Sequence, residues 1–289
     1  MKIDVILITY NQENYIRQAI ESILMQKVNE SDSLRIIVAD DHSTDNTLSV
    51  IREYEKQSPV PFFYLPEAPN MGLQQNFKRA FAACDGDYTL VLEGDDYWCS
   101  PLHIEQHVRF LEEHKECSMS VNGIVLFWQE SSLFELNYIG NTATCHRINL
   151  PQQIMDNHVG NHSACCYRTN ILHTLPDAFF GDTFDDWLLG MWFCKYGFIA
   201  ILPEYTSVYR KHAKGQWTGY TAQWQAQECV RRLQLDRTFF DEQYAGYFNQ
   251  AIAQRQKKNH VWKKWVPPFV IGFVKLLLPP AMIQWINRK

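Results

Sequence analysis

Short apolar runs alternate with helical patterns through the first third of the chain, and polar residues follow each run directly. Residues 3–10 are nearly all apolar, as in a strand buried on both faces of a sheet. Ile16, Ile20, Ile23 and Leu24 then recur at helical spacing. A second run covers 34–39, and the Ser/Thr/Asp cluster after it suits the start of a helix reaching about Lys56. A weaker strand at 62–65, a turn at Gly72, a helix at 77–83, the turn Asp85-Gly86-Asp87 and a strand at 88–92 complete the pattern. This βαβαβ rhythm predicts an α/β fold with a mainly parallel, Rossmann-like central sheet flanked by helices.

The second half is less regular. Residues 119–128, 164–167, 199–202 and 206–209 read as strands, 184–196 as a Trp-rich helix, and 221–256 as strongly helical without proline. The expected organisation is a catalytic domain over 1–218 and a helical extension over 219–289.

In an open α/β sheet, ligands sit beyond the carboxyl ends of the strands. The polar residues there are Thr9-Tyr10-Asn11 after the first strand, Asp40-Asp41-His42-Ser43-Thr44-Asp45 after the second, and Glu93-Gly94-Asp95-Asp96-Tyr97-Trp98 after the fourth. Asp and Asn after a strand commonly form turns and helix caps, which suffices for Asp40, Asp41 or Asp45 taken alone. Three carboxylates within four residues, Glu93, Asp95 and Asp96, are costly without a counter-ion. Mg²⁺ or Mn²⁺, shared with a diphosphate, takes such oxygen ligands.

Other signals are weaker. The eight cysteines form no CxxC pair, which removes the zinc-ribbon and thioredoxin readings. His158 and His162 stand four apart but flank Gly160 and lack the glutamate of HExxH. Neither GxGxxG nor GxxxxGK[ST] occurs, which counts against dinucleotide and P-loop enzymes. The chain opens directly into a strand, so a reducing cytoplasm is expected, and the sequons at Asn29 and Asn161 read as chance tripeptides.

Charge is unevenly placed. Eight Lys or Arg and no acid lie between 251 and 289; with a whole-chain charge of −5, the rest carries −13. Such a tail suits an anionic partner, and its aromatic and aliphatic content favours lipid over nucleic acid. The ten residues between Pro267-Pro268 and Pro279-Pro280 make a helix of only ~15 Å, too short for a hydrocarbon core of ~30 Å. An in-plane segment is expected, with Trp262, Trp265 and Trp285 at the interface and Lys257, Lys258, Lys263 and Lys264 on anionic headgroups.

Six segments together resemble family 2 glycosyltransferases of the GT-A fold, in that family's order and roughly its spacing. They are Ile8-Thr9-Tyr10-Asn11, residues 39–47, Asn70-Met71-Gly72, Glu93-Gly94-Asp95-Asp96-Tyr97-Trp98, Phe184-Asp185-Asp186-Trp187 and Tyr209-Arg210-Lys211-His212. The resemblance covers about residues 1 to 215. It implies an inverting transferase that moves a sugar from a nucleoside diphosphate, UDP above others, to a glycan or polyprenyl-linked acceptor in bacterial surface-glycan synthesis. Carried over residue by residue, it puts Thr9, Tyr10, Asp41 and Asp95 at the nucleotide, with Tyr10 stacked on uracil and Asp41 on the base edge. Asp95 and Asp96, with His212, would hold the divalent cation. Asp186 would deprotonate the acceptor, with Glu93, Asp185 and Arg210 in support.

Three departures stand out: Glu93 where Asp is usual, Asp185 where Glu usually precedes the base, and His42 where Gly is usual. A sugar nucleotidyltransferase would need a glycine-rich loop that Thr9-Tyr10-Asn11-Gln12 does not provide. Retention of Asp41, Asp95, Asp96 and Asp186 together argues against a catalytically inactive nucleotide-sugar-binding module of the same fold.

Overall fold

The computed structural model describes residues 1–137, 146–213, 215, 217 and 219–265, with backbone alone for 258–265. Two compact units are present, one of 1–153 with 157–211 and one of 154–156 with 212–289.

In the first unit, β1 (Lys2–Thr9), β2 (Ser33–Asp40), β3 (Phe62–Tyr64) and β4 (Tyr88–Glu93) alternate with α1 (Ile16–Leu24), α2 (Thr47–Glu55) and α3 (Leu73–Ala83). Then come β5 (Tyr97–Trp98), α4 (His103–Glu113), β6 (Cys117–Trp128), β7 (Leu133–Asn137), β8 (His146–Ile148) and α5 (Leu150–Met155), whose last residues enter the second unit. A 3-10 turn (His162–Ala164), β9 (Cys165–Arg168), α6 (Thr169–Leu172), α7 (Asp186–Phe193) and β10 (Phe198–Lys211) complete it.

The ten strands form one sheet in the order β3-β2-β1-β4-β9-β6-β10-β5, with β7 beside β6 and β8 beside β10. β1 pairs in parallel with β2 and β4, and its side chains from Val5 to Ile8 are almost wholly buried, as a central parallel strand requires. The expected α/β class with a Rossmann-like parallel half is the observed one. β9 runs antiparallel to both β4 and β6, while β10 is parallel to β6. The carboxyl ends of β1, β2, β4, β6 and β10 therefore share one edge, and β9 is entered from that same edge.

The runs at 199–202 and 206–209 are a single strand. β10 continues through Pro203 with register shifts between Ile201 and Tyr205 and between Tyr205 and Ser207.

In the second unit, α8 (Ala222–Asp236) is capped by Thr221, whose side chain accepts from the Trp224 N–H, and α9 (Ala245–Trp265) follows. The strongly helical stretch expected over 221–256 is the pair α8 and α9, with 3-10 turns at Arg237–Phe239 and Glu242–Tyr244 between them. No helix among the described residues is long and apolar enough to cross a membrane. The tail from 266 on, and the side chains of Lys258, Trp262, Lys263, Lys264 and Trp265, lie outside the described residues.

Candidate active site

Register places the acidic groups together. Thr9 pairs with Asp40 and Ile8 with Glu93, so the ends of β1, β2 and β4 are level. The Gly94 N–H donates to Ile8 O at 2.9 Å, folding the Glu93–Asp96 turn over the end of β1. Gly94 is required there, since a Cβ would lie 2.8 Å from Thr9 Oγ1. That hydroxyl is buried and has no hydrogen-bond partner among the described residues.

Asp96 is only 1% exposed. Its Oδ1 accepts the Arg210 N–H at 2.8 Å, and its Oδ2 accepts Ser163 Oγ at 2.7 Å and Asn161 Nδ2 at 3.0 Å. The same Asn161 amide donates to Glu93 Oε2 at 3.1 Å. Burial, then the Asp95 charge, pushes the Asp96 carboxyl up to about 8, against those donors. Glu93 is raised well above the carboxylate range, by burial first and then by Asp96, Asp95 and Asp186. Asp186 thus lies close enough to the cluster to act on Glu93.

Arg210 reaches this edge along β10. Its guanidinium donates to Asp95 O, Gln129 Oε1 and Gln18 Oε1, and stands over the rings of Tyr15, Tyr97 and Phe127. This buried cation anchors the acidic turn through its backbone.

Two adjacent acids part company at the start of α7. Asp185 is its cap, accepting the Leu188 N–H at 2.8 Å, while Asp186 Oδ2 accepts Asn157 Nδ2 at 3.1 Å. Tyr10, at the end of β1, is 46% exposed and available for stacking. Asp41 is buried and accepts the N–H groups of Met71 and Gly72, both at 2.9 Å, so it fixes the turn into α3. His42 has φ +65°, the left-handed region that glycine adopts most readily. His212 follows Lys211 directly and opens the second unit. His162 is buried against Phe77 and Phe184, and burial lowers its pKa to about 4.

The donor set suits a hard divalent cation in part. Glu93, Asp95 and Asp96 offer only oxygen, and burial first, then the neighbouring acids, raises Glu93 and Asp96. Among the described residues, no three or more Asp, Glu, His or Cys enclose a metal by themselves. Where one or two carboxylates hold Mg²⁺ or Mn²⁺, substrate phosphates and water complete its shell.

Sequence reasoning missed Asn157, Asn161, Ser163, Gln18 and Gln129. Their partners lie 29 to 192 residues away in the chain, and the one available signal, the Asn161-His162-Ser163 tripeptide, reads as a sequon.

The sequence profile of glycosyl transferase family 2 matches residues 4–172. The chain is 30% identical over 218 residues to an uncharacterized protein of Mycobacterium tuberculosis, covering 75% of this chain and 61% of that protein. It thus spans about six tenths of that relative's length. It is 25% identical over 254 residues to the putative teichuronic acid biosynthesis glycosyltransferase TuaG of Bacillus subtilis, covering 84% of this chain and 94% of TuaG. The fold resembles that of Staphylococcus aureus TarS 1–349, with a TM-score of 0.65 at 19% identity over 100% of this chain and 79% of TarS 1–349. It also resembles mannosyltransferase PcManGT from Pyrobaculum calidifontis, solved with GDP-Man and Mn²⁺, with a TM-score of 0.62 at 13% identity over 99% of this chain and 83% of the other. At these identities the two structures speak for the GT-A fold.

Proposed function

The chain belongs to glycosyl transferase family 2, and from that premise we propose that it is an inverting, metal-dependent transferase of a hexosyl or N-acetylhexosaminyl group. The donor is a nucleotide sugar, UDP-linked in our reading, and the acceptor a glycan or polyprenyl-linked hydroxyl in surface-glycan assembly. One observation carries the reading: Glu93 and Asp96, at the end of β4, accept from Asn161, and Asp186, at the start of α7, accepts from Asn157 four residues earlier on the same segment. TarS has been crystallised with UDP-GlcNAc, which supports the UDP reading.

Each residue then has a task. Tyr10 stacks on the base, and Asp41 keeps a lone pair on each oxygen for the base edge while holding the α3 turn. Thr9 Oγ1 offers the donor a buried, unpaired hydroxyl. Asp95 and Asp96, with His212, are the ligands proposed for Mg²⁺ or Mn²⁺. Such a cation, when bound, supplies charge neutralisation for a departing diphosphate. Asp186 accepts the proton of the attacking hydroxyl as general base. Arg210 and Asp185 hold the acidic turn and the start of α7 in place. Residues 1–218 form the catalytic domain, and the extension over 219–289 brings it to an anionic membrane surface; nucleic acid is not its partner.

Product mass spectrometry with a panel of nucleotide sugars and a lipid-linked acceptor tests this reading. Mass gain of one hexose or N-acetylhexosamine, lost in EDTA and restored by Mn²⁺, is expected; undiminished transfer in chelator would overturn the metal dependence. Deleting 260–289 should abolish liposome sedimentation and spare UDP binding.

A further inference from the structure

The segment 157–163 carries no role in the reaction as described above, yet it touches both halves of the site. Building on the transferase reading, we propose that it is a positioning strap: Asn161 sets the donor-side carboxylates Glu93 and Asp96, and Asn157 sets the acceptor-side carboxylate Asp186.

Topology delivers the strap. Because β9 is antiparallel between β4 and β6, the chain must enter it from the edge where the carboxylates sit. The 3-10 turn before β9 therefore crosses the end of β4, where Ser163 Oγ accepts the Glu93 N–H at 3.1 Å and donates to Asp96 Oδ2 at 2.7 Å. Ser163 O accepts the Trp98 indole N–H at 2.8 Å, which pins the turn to β5.

Asn161 is 7% exposed and spends both amide protons on acids, one on Glu93 and one on Asp96. Its orientation is fixed from the other side, because Oδ1 accepts the Ser163 N–H at 2.7 Å. Four residues earlier, Asn157 repeats the arrangement. Its Oδ1 accepts the N–H groups of Val159 and Gly160 at 3.0 and 3.3 Å, leaving Nδ2 on Asp186 Oδ2. Gly160, with φ +74°, makes the left-handed turn between the two asparagines.

The choice of an amide has a physical consequence. Amide protons on one nitrogen fix the spacing of the two acids and add no positive charge, so the place for a cation is kept. A lysine or arginine at 161 would satisfy the acids and compete with the cation. The two asparagines also divide the work. Disturbing Asn161 should loosen the metal–diphosphate half, while disturbing Asn157 should misplace the base alone, and misplacement of a reacting group is felt in turnover.

The test uses the whole chain, with UDP plus Mn²⁺ as the binding probe and UDP release from UDP-sugars as the turnover readout. Asn161→Ala should weaken UDP·Mn²⁺ binding by about tenfold or more, the range for partners of metal ligands, and should raise the Mn²⁺ needed for half-saturation. Asn157→Ala should bind UDP·Mn²⁺ within about twofold of wild type and lose about tenfold or more in kcat, since positioned proton transfer contributes ~10²–10⁴. Asn161→Ser and Asn157→Ser, which keep a hydroxyl donor, should recover part of each loss and serve where an alanine variant unfolds. Lowered melting temperatures with wild-type binding and kcat would overturn the strap and leave the transferase reading standing. A wild-type chain that binds no UDP with any divalent cation would overturn both.

Discussion

Asp185 accepts the Leu188 N–H at 2.8 Å and so caps α7, which turns the next side chain, Asp186, toward Asn157 rather than toward the helix end. Adjacent helical positions diverge by about 100°, so one acid completes the helix while its neighbour meets the site. Asp186→Asn should leave folding and UDP binding nearly intact and lower turnover by about 10²-fold or more, the range for loss of a general base. Asp185→Asn keeps a good capping side chain and should change little, whereas Asp185→Ala should cost about 1 kcal/mol in stability. Steady-state kinetics beside urea melts separate the two. A reversed order of effects would move the base by one residue, and wild-type turnover in both asparagine variants would remove the proton acceptor from the mechanism.

Protonation and cation binding compete at Asp96. Burial raises its carboxyl to about 8, so in the ligand-free protein this group lends stability below the ordinary carboxylate pKa of ~3.9 and loses it as pH rises through about 8. A cation needs the ionised form, and binding must release the proton. UDP·Mn²⁺ affinity should therefore climb with pH toward 8 and then level off. Calorimetry in two buffers of different ionisation enthalpy should find net proton release near neutrality that fades above that point. Asp96→Asn should bind weakly at every pH. Absence of proton release in the wild type would break the link between Asp96 and the cation.

Gly94 is held by crowding. An added Cβ would approach Thr9 Oγ1 to 2.8 Å, Thr9 Cβ to 3.1 Å and Ile16 Cδ1 to 3.2 Å. Gly94→Ala should displace the Glu93–Asp96 turn from the end of β1, weaken UDP·Mn²⁺ binding, and cost about 1–3 kcal/mol as overpacking does. Thr9→Ala in the same chain should return part of the stability, since the closest clash goes with the hydroxyl. Thermal melts with and without UDP·Mn²⁺ measure both effects, and binding as tight as wild type would show that the turn has room to move.

The parallel half of the sheet was legible because centrally buried strands must be apolar without interruption, and β1 and β2 satisfy that in the sequence itself. His42 was legible too: at a position where glycine is usual, its φ is +65°. Pro203 hid the continuity of β10, since proline ordinarily ends a strand, whereas here the strand absorbs it at a register shift. For α4 the signal was present in Ile104, Val108 and Leu111, which are buried at helical spacing along one face. Asn161 and Ser163 carried no local signal beyond a tripeptide that reads as a sequon. Their meaning comes from Glu93 and Asp96, at sequence separations of 65 to 70, brought near by the antiparallel placement of β9.

Behind the site, His103 and His107 form a buried pair whose rings lie 4.6 Å apart, joining α4 to the sheet. His103 stacks on Trp98 at 4.3 Å and shares a hydrogen bond with Thr206 Oγ1 at 2.8 Å. His107 bonds Ser120 Oγ at 2.7 Å and Asn122 Oδ1 at 3.2 Å. Burial holds His103 well below the usual histidine range, with His107 adding to it, and burial lowers His107 to about 4. Both therefore lend stability that is complete above the unfolded value of ~6.5 and is lost as pH falls toward about 4, because only the unfolded chain takes up the protons. Each histidine contributes a slope of up to about 1.4 kcal/mol per pH unit in that window. Between about pH 6.5 and 5 the raised carboxyls Glu93 and Asp96 stabilise the fold as pH drops and oppose this loss, so the histidine share is read from the difference in urea midpoint between wild type and a variant. His107→Gln, which can keep bonds to Ser120 and Asn122 without titrating, should be less stable near neutrality yet gain on the wild type as pH drops. Equal pH slopes for wild type and His107→Gln would mean that another group governs the acid lability.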